Sequence, residues 1–387
     1  MLVFELSMTN ETRYQAARMV SNTIESHFSQ HIKSALERGE SDLAVAPEKH
    51  FIEKIIDAAF WASLRREEGR SPKISLAFVS PDLAGHPLLF EKKIKLHPDV
   101  LTKLSPGVEH PGVHLGVWHE NNQLYIWGTT LKIPNFCFVL DVSEPGLLVI
   151  KHRRMNGFGK FANVAVLIGD QVKIVDEKSA LFPDCPAILK SLLGNDTATS
   201  GNDSIHFLVQ LAVAMRAHKH GGTLLIVSTQ STSWQTSIIH PIKYSIKPTY
   251  IGITNMLELE KEERIHTKWQ GALKNELDRI AGLTAVDGAT IINDQFELLA
   301  FGAKISRSQG NARVEKILVN EPIIGGEAIS VNPSQNGGTR HLSAAQFVHD
   351  QRDALALVAS QDGNFTVFSW SKNEQIVQAH RIDTLLL

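Results

Sequence analysis

The sequence predicts a mixed α+β protein, with a C-terminal mixed β-sheet flanked by helices and a separate α+β domain ahead of it. Three observations carry this expectation. A length of 387 residues accommodates two domains, and a hydrophobic fraction of 43% suits a globular chain. Strand-length apolar runs alternate with helical periodicities in both halves. Between the halves, Ser191 to Ser204 is rich in Ser, Gly, Asn, Asp and Thr and reads as a linker, so the expected domains are 1–195 and 200–387.

Taken in order, residues 10–38 read as a helix. Asn10 can cap it, and Ala16, Met19, Val20, Ile24 and Phe28 recur at helical spacing. A second helix is expected from His50 to Arg66, with Phe51, Ile55, Ile56, Ala59, Phe60 and Leu64 on one face and the charged run Arg65 to Glu68 as its solvated end. Ile74 to Val79 reads as a strand closed by Ser80-Pro81. Short apolar runs then dominate from about 112 to 178, separated by turns such as Glu144-Pro145-Gly146, and predict a mainly antiparallel sheet. The basic run Lys151 to Arg154, followed by Gly157-Phe158-Gly159-Lys160, fits a solvated loop, or a contact to a phosphate or an acidic partner. His97, His110, His114 and His119 read as structural or surface residues. Pro111-Gly112 between His110 and His114 argues against the i,i+4 helical face of a two-histidine metal site.

Beyond the linker, Ile205 to His218 reads as a helix with Leu208, Leu211, Ala212 and Met215 inward. Gly221-Gly222 stops it, and Thr223 to Val227 follows as a buried strand. Gln230 to Tyr250 is loop-like, with Lys243 and Lys247 exposed. A long polar helix is expected from Leu257 to Ala281. Thr290 to Ile292 and Leu298 to Phe301 pair around Asn293-Asp294-Gln295, and Gly302 to Ile305 closes that unit. Residues 306–336 are polar and Gly-rich and predict no element. A helix after His341 runs to Arg352, and Ala354 to Ser360 pairs with Phe365 to Trp370 across Gln361-Asp362-Gly363-Asn364.

With a formal net charge of -2, nothing suggests a bulk nucleic-acid binder or a basic membrane-surface protein. Cys137 and Cys185 are too few and too far apart for a disulfide scaffold or a Cys-based zinc site, and they fit a reducing cytoplasm. Met1 to Arg13 lacks the basic flank and apolar stretch of a signal peptide. No apolar run approaches the roughly eighteen residues that span a bilayer. The expectation is a cytoplasmic protein without a membrane segment.

Two strings carry the chemistry. Gly337-Gly338-Thr339-Arg340-His341-Leu342-Ser343 joins a two-glycine entry to a hydroxyl, a fixed cation and an imidazole at the start of a helix, which Thr339 or Ser343 could cap. Such a helix start, with an adjacent Arg, is an anion site; a plain surface loop is the alternative. Upstream, Val286-Asp287-Gly288-Ala289 reads as a tight turn running into a strand. Together, in this order, the strings resemble the paired signatures of the diadenylate cyclase (DAC) domain family, Asp-Gly-Ala and then Gly-Thr-Arg-His-Arg. The resemblance covers roughly residues 200–387.

The resemblance implies fusion of two ATP into the second messenger cyclic di-AMP, with release of two pyrophosphates. It implies a divalent metal, Mn²⁺ or Mg²⁺, and a catalytic set of Asp287, Arg340 and His341, with Asp287 as metal ligand. Gly288, Ala289, Ile305, Gly338, Thr339, Ser343 and Ser360 would bind ATP, although Ile305 is equally well ordinary core. Trp234 and Trp269 could stack on a base or anchor the core. One copy of each string implies one ATP per domain and a face-to-face homodimer, or a higher homo-oligomer, for a two-fold product. The family's second Arg is Leu342 here. A lost phosphate contact of this kind is worth about 1.5–3 kcal/mol, unless Lys304 or Arg307 compensates. That loss also leaves open a nucleotide receptor without turnover. The first half resembles the probable N-terminal sensor domains of DACNV type, with an unknown ligand.

Overall fold

The computed structural model describes residues 13–155, 161–182, 184–193, 203–258, 267–335 and 337–387. It has two compact units, Met1–Val175 and Asp176–Leu387. The expected linker falls largely on 194–202, outside the described residues, as do Asn10 and Gly157 to Lys160. The short helix Ala187–Leu192 belongs to the second unit, ahead of the boundary expected at 195–200.

In the first unit, α1 (Gln15–Glu37) and α2 (Lys49–Ser63) bury one stripe each. Ala17, Val20, Ile24 and Phe28 recur every three or four residues on α1, and Phe51, Ile52, Ile55, Ile56 and Ala59 do so on α2. Met19 and Leu64, expected on those faces, are exposed instead. Burying a side chain such as Ile24 or Phe28 stabilises the unit by roughly 1.5–3 kcal/mol. The eight strands are β1 (Ile74–Phe78), β2 (Leu88–Lys95), β3 (His114–Glu120), β4 (Gln123–Thr130), β5 (Phe138–Glu144), β6 (Leu147–Arg153), β7 (Phe161–Ile168) and β8 (Gln171–Ile174). A helix, α3 (Pro98–Leu104), lies between β2 and β3. The sheet order is β2-β4-β3-β1-β5-β6-β7-β8. Only β1 with β3 is parallel, so the mainly antiparallel reading holds. Alternation sends Ile74, Leu76 and Phe78 to the helices, while Ala77 and Val79 meet Trp127, Cys137 and Val139 on the other face.

The basic run at 151–154 is not a solvated loop. Most of it lies in β6: Lys151 Nζ is 2.6 Å from Asp141, and Arg153 donates to the Ile133 carbonyl. Arg154 Nε donates to the Phe161 carbonyl at 3.1 Å.

The second unit holds α4 (Ala187–Leu192), α5 (Asp203–Ala217), α6 (Gly252–Glu258), α7 (Thr267–Thr284) and α8 (Thr339–Asp350) around a nine-stranded sheet. Its strands are β9 (Gly222–Val227), β10 (Tyr244–Tyr250), β11 (Ala289–Asn293), β12 (Leu298–Ala303), β13 (Ile317–Asn320), β14 (Ile329–Val331), β15 (Leu355–Ala359), β16 (Phe365–Ser371) and β17 (Ile376–Arg381). Their order is β10-β12-β11-β9-β15-β16-β17-β13-β14. β9–β11 and β17–β13 are parallel and the other pairs antiparallel. Both sheets are therefore mixed. Gln230 to Tyr250 is not all loop, because β10 pairs with β12 there. The expected helix from Leu257 is α6, then α7, with 259–266 outside the described residues.

Leu225, Val227, Ile291, Ala356 and Val358 face α8, whose Ala344, Ala345, Phe347 and Val348 are buried against them. Alternate residues of these strands face the other side, where α5 and α7 pack. β9 and β11 run the same way, while β12 and β15 run against them. The starts of β9, β11 and β16 and the ends of β12, β15 and β17 therefore share one edge of the sheet.

His380, on β17, is 2% exposed, and burial pushes its imidazole down to about 4. The ring is neutral in the fold but takes a proton near pH 6.5 once unfolded. Its contribution is thus complete above pH 6.5 and is lost as pH falls towards 4, by about 3 kcal/mol over that window. Urea unfolding at successive pH values should give a steeper loss of stability for the native chain than for His380→Gln. Equal slopes would contradict a neutral buried ring.

Candidate functional site

The shared sheet edge opens into a cavity of about 660 Å³. All ten residues singled out from the sequence line it. Asp287, Gly288 and Ala289 enter from the start of β11 and Ile305 from beyond β12. Gly338, Thr339, Arg340, His341 and Ser343 enter from α8, and Ser360 from beyond β15.

Asp287 sits on the turn before β11 and is 92% exposed. Its Oδ2 lies 2.5 Å from Lys304 Nζ. The hydrogen bond and charge of Lys304 hold the carboxyl below the usual carboxylate range, so it is ionised at neutral pH. Gly288 makes the turn possible. It has φ +113°, and a Cβ there would lie 2.5 Å from the Gly302 carbonyl carbon. The start of β11 and the end of β12 thus cross in backbone contact, which places Asp287 and Lys304 side by side.

On the opposite wall, α8 begins at Thr339 with Gly338 as its N-cap. No side chain caps it, so neither Thr339 nor Ser343 takes the capping role expected of one of them. Both line the cavity instead. Arg340 lies over Gly221, where a Cβ would come within 3.1 Å of Nη1. His341 points inward: its Nε2 is 3.3 Å from Thr366 Oγ1, and its ring meets Phe368 edge-on at 5.8 Å. Burial, then Arg381 and Arg340, pushes its imidazole below 6.5, so the ring is neutral at pH 7 and can donate one hydrogen bond. The Ser360 hydroxyl accepts from Asn364 N at 3.2 Å, closing the β15–β16 turn. Ile305 packs against the core and also lines the cavity, so its two readings coexist.

Leu342 does not line the cavity; it packs against the core under α8. Arg307 does not line it either, whereas Lys304 does. The cation that sequence reading missed is Arg381, which reaches the cavity from the end of β17, a strand absent from the sequence reading. Its register partner is Thr366, the residue that meets His341. The available signal was an Arg closing an apolar strand. Neither Trp234 nor Trp269 lines the cavity, and among the described residues no Phe, Tyr or Trp does. A base here would meet Ile305, Ala303 and Val358 rather than an aromatic face.

The cavity therefore sets Arg340, Arg381, the Thr339 and Ser343 hydroxyls and a helix start against the ionised Asp287 beside Lys304, and Asp362 also lines it. Such a set of donors can receive a polyphosphate together with a divalent cation. Asp287 is an exposed oxygen donor with Lys304 as its hydrogen-bond partner, which fits a cation held jointly with phosphate oxygens.

In the first unit the histidines disperse. His97 Nδ1 accepts from Asp99 N as the cap of α3, His114 Nδ1 lies 2.7 Å from Ser75 Oγ, and His119 stacks on Phe51. Among the described residues none of His97, His110, His114 and His119 joins a metal-ligand cluster.

Residues 41–131 match the family model of the probable sensor domain DACNV. The matched span runs from before α2 to just beyond β4. No curated protein matches the chain. Among solved structures, one titled a hypothetical membrane spanning protein from Bacillus cereus is similar at 16% identity, with a TM-score of 0.27. The similarity covers 46% of this chain and 63% of that one, so this chain spans less than two thirds of its length. Among the described residues no helix is long and apolar enough to cross a membrane.

The glycine crossing gives a direct test. Gly288→Ala forces both a strained φ and a backbone clash, and should destabilise the second unit by about 2 kcal/mol or more. A thermal or urea midpoint equal to that of the native chain would show that the crossing relaxes freely.

Proposed function

We propose that the second unit, through residues 200–387, is a diadenylate cyclase that condenses two ATP into cyclic di-AMP and releases two pyrophosphates, under control of the N-terminal sensor unit. The observation that carries this reading is the convergence of Asp287-Gly288-Ala289 and Gly338-Thr339-Arg340-His341 on one cavity from opposite walls. The DACNV match supports the regulatory part.

The reaction is attack by the 3′-hydroxyl of one ATP on the α-phosphorus of the other, with pyrophosphate leaving. In this reading the triphosphate lies over the start of α8. There Thr339 and Ser343 donate hydroxyls, and Arg340 and Arg381 receive phosphate oxygens through planar donor forks. Neutral His341 donates one further hydrogen bond without adding charge. Adenine lies against Ile305, Ala303 and Val358. Ionised Asp287 orients the attacking hydroxyl and accepts its proton. A divalent cation, Mn²⁺ or Mg²⁺, would be held by Asp287 with phosphate oxygens and would supply charge neutralisation at the α-phosphoryl. Lys304 neutralises Asp287 meanwhile.

One cavity with one copy of each string fits one ATP per chain, so two chains meet face to face to set hydroxyl and α-phosphorus in line. The free cysteines Cys137 and Cys185 suit the cytoplasmic setting in which ATP is plentiful. A second reading, a nucleotide receptor without turnover, is favoured by Leu342, which gives its position to the core instead of to phosphate.

Purified chain with ATP and Mn²⁺ or Mg²⁺ should yield cyclic di-AMP by mass, at a specific activity that rises with protein concentration. Nucleotide-induced thermal stabilisation without product would establish the receptor. Asp287→Asn should abolish synthesis while leaving the thermal midpoint unchanged.

Arg381→Ala should slow synthesis about ten- to a hundred-fold, the equivalent of one charge-assisted phosphate contact. Leu342→Arg should bring no gain in rate, because that side chain faces the core. A faster Leu342→Arg enzyme, or an Arg381→Ala enzyme at native rate, would show that the cation is supplied elsewhere.

A further inference from the structure

The second unit contains another cavity, of about 200 Å³, lined by residues that the proposed chemistry does not use. It lies along β17 and β13, beside Asp176, Ser179, Phe182, Cys185 and Leu189 and the loop after β13. One wall is apolar, formed by Phe182, Leu189, Leu318 and Pro322. Asp176, Glu321 and Glu374 are the acidic lining residues, and among the described residues no Lys or Arg lines it. His380 forms part of its wall from β17.

Acidic residues alone are common on protein surfaces; the imidazole is the second observation. His380 is 2% exposed, and its Nδ1 is buried without a hydrogen-bond partner. An unpaired buried nitrogen of this kind costs free energy that a fold normally avoids. Its other nitrogen, Nε2, lies 3.4 Å from Ser369 Oγ. If Nε2–H donates to that hydroxyl, Nδ1 presents a lone pair. Burial keeps the ring neutral, so it adds no positive charge to the acidic lining.

We propose that this cavity binds a small organic ammonium compound, with the apolar body against Phe182, Leu189 and Leu318, and the N–H groups shared between His380 Nδ1 and the carboxylates that line the same cavity. The volume lies below the roughly 300–1,000 Å³ of pockets for drug-sized ligands, which limits the compound to a few carbons or one ring. Phosphates and carboxylates are disfavoured, because they would meet like charge with no compensating cation. The site is separate from the cavity at α8, and it stands whether or not that cavity makes cyclic di-AMP.

The test uses the full chain and defined probes: n-butylammonium, benzylammonium and 1,4-diammoniobutane, with benzyl alcohol and benzoate as neutral and anionic controls. Ligand-observed NMR titration reads affinity, and the imidazole nitrogen resonances of His380 read position. The expected result is saturable binding of at least one ammonium probe, about tenfold or more tighter than benzyl alcohol, with a shift at His380 Nδ1 and no binding of benzoate. Ala328 lines the rim and is exposed, so Ala328→Trp should fill the mouth and remove binding while the fold persists. Glu374→Gln, also at an exposed position, should weaken binding about two- to five-fold. No saturable binding of any of the three probes up to about 10 mM would leave a cavity occupied by water alone and overturn the proposal. Equal or tighter binding of benzoate or benzyl alcohol would overturn it too, as would unchanged ammonium binding in Ala328→Trp.

Discussion

The parallel pairing of β9 with β11 is the constraint on which the rest of the second unit depends. Leu224 lies opposite Thr290, Leu225 opposite Ile291 and Ile226 opposite Ile292. Both strands are buried along their whole length, so neither can slip by a residue without turning its apolar side chains out of one core and into the other. That fixed register aligns the strand ends at one edge. The Asp287 turn, the Arg340 helix start and the Ser360 turn are then brought together by backbone geometry, before any side chain contact is made. The crossing of Gly288 over Gly302 follows from the antiparallel pairing of β11 with β12, where Ala289 lies opposite Ala303, and it leaves no room for a side chain at that turn.

Much of this was legible in the sequence because it is written in local terms. Glycine turns, strand-length apolar runs and a Gly-Thr-Arg-His helix start leave marks over a few residues, and they led to ten residues that one cavity brings together. What was missed depends on distant partners. β10 is mostly exposed, carries Pro248 and pairs only with β12, so its run of polar and aromatic residues has no periodicity to read. Met19 falls at helical spacing but on the solvent side of α1, and Leu64 lies past the end of α2 as its C-cap. Neither Thr339 nor Ser343 caps α8, because Gly338 already occupies the N-cap. Arg381 comes from the far end of the chain, and its place opposite Thr366 is set by a β16–β17 register that no short motif encodes.

The electrostatic layout is economical. Asp287 and Lys304 form an exposed pair whose net worth to stability is small, since both side chains are accessible to solvent. Their value lies in charge state. The lysine keeps the carboxylate ionised, while His341 is kept neutral by burial and by the two arginines beside it. Groups on opposite walls of the same cavity are thereby held in opposite protonation habits, one an acceptor without a proton and the other a donor without a charge.

β17 links the two cavities of the unit by parity. His380 and Arg381 are neighbours in sequence, so strand alternation sends one side chain to each face of the sheet, and each lines a different cavity. The strand is entered through the turn after Ser371, where Gln375 adopts a positive φ. A single-codon deletion or insertion in that turn would shift the strand's phase by one residue. A deletion would carry Arg381 to the place of His380 in the acid-lined cavity, and an insertion would carry His380 to the place of Arg381 in the cavity at α8. Such a lesion would disable both sites at once while leaving every lining residue present in the gene, so during divergence this turn should vary in composition but not in length.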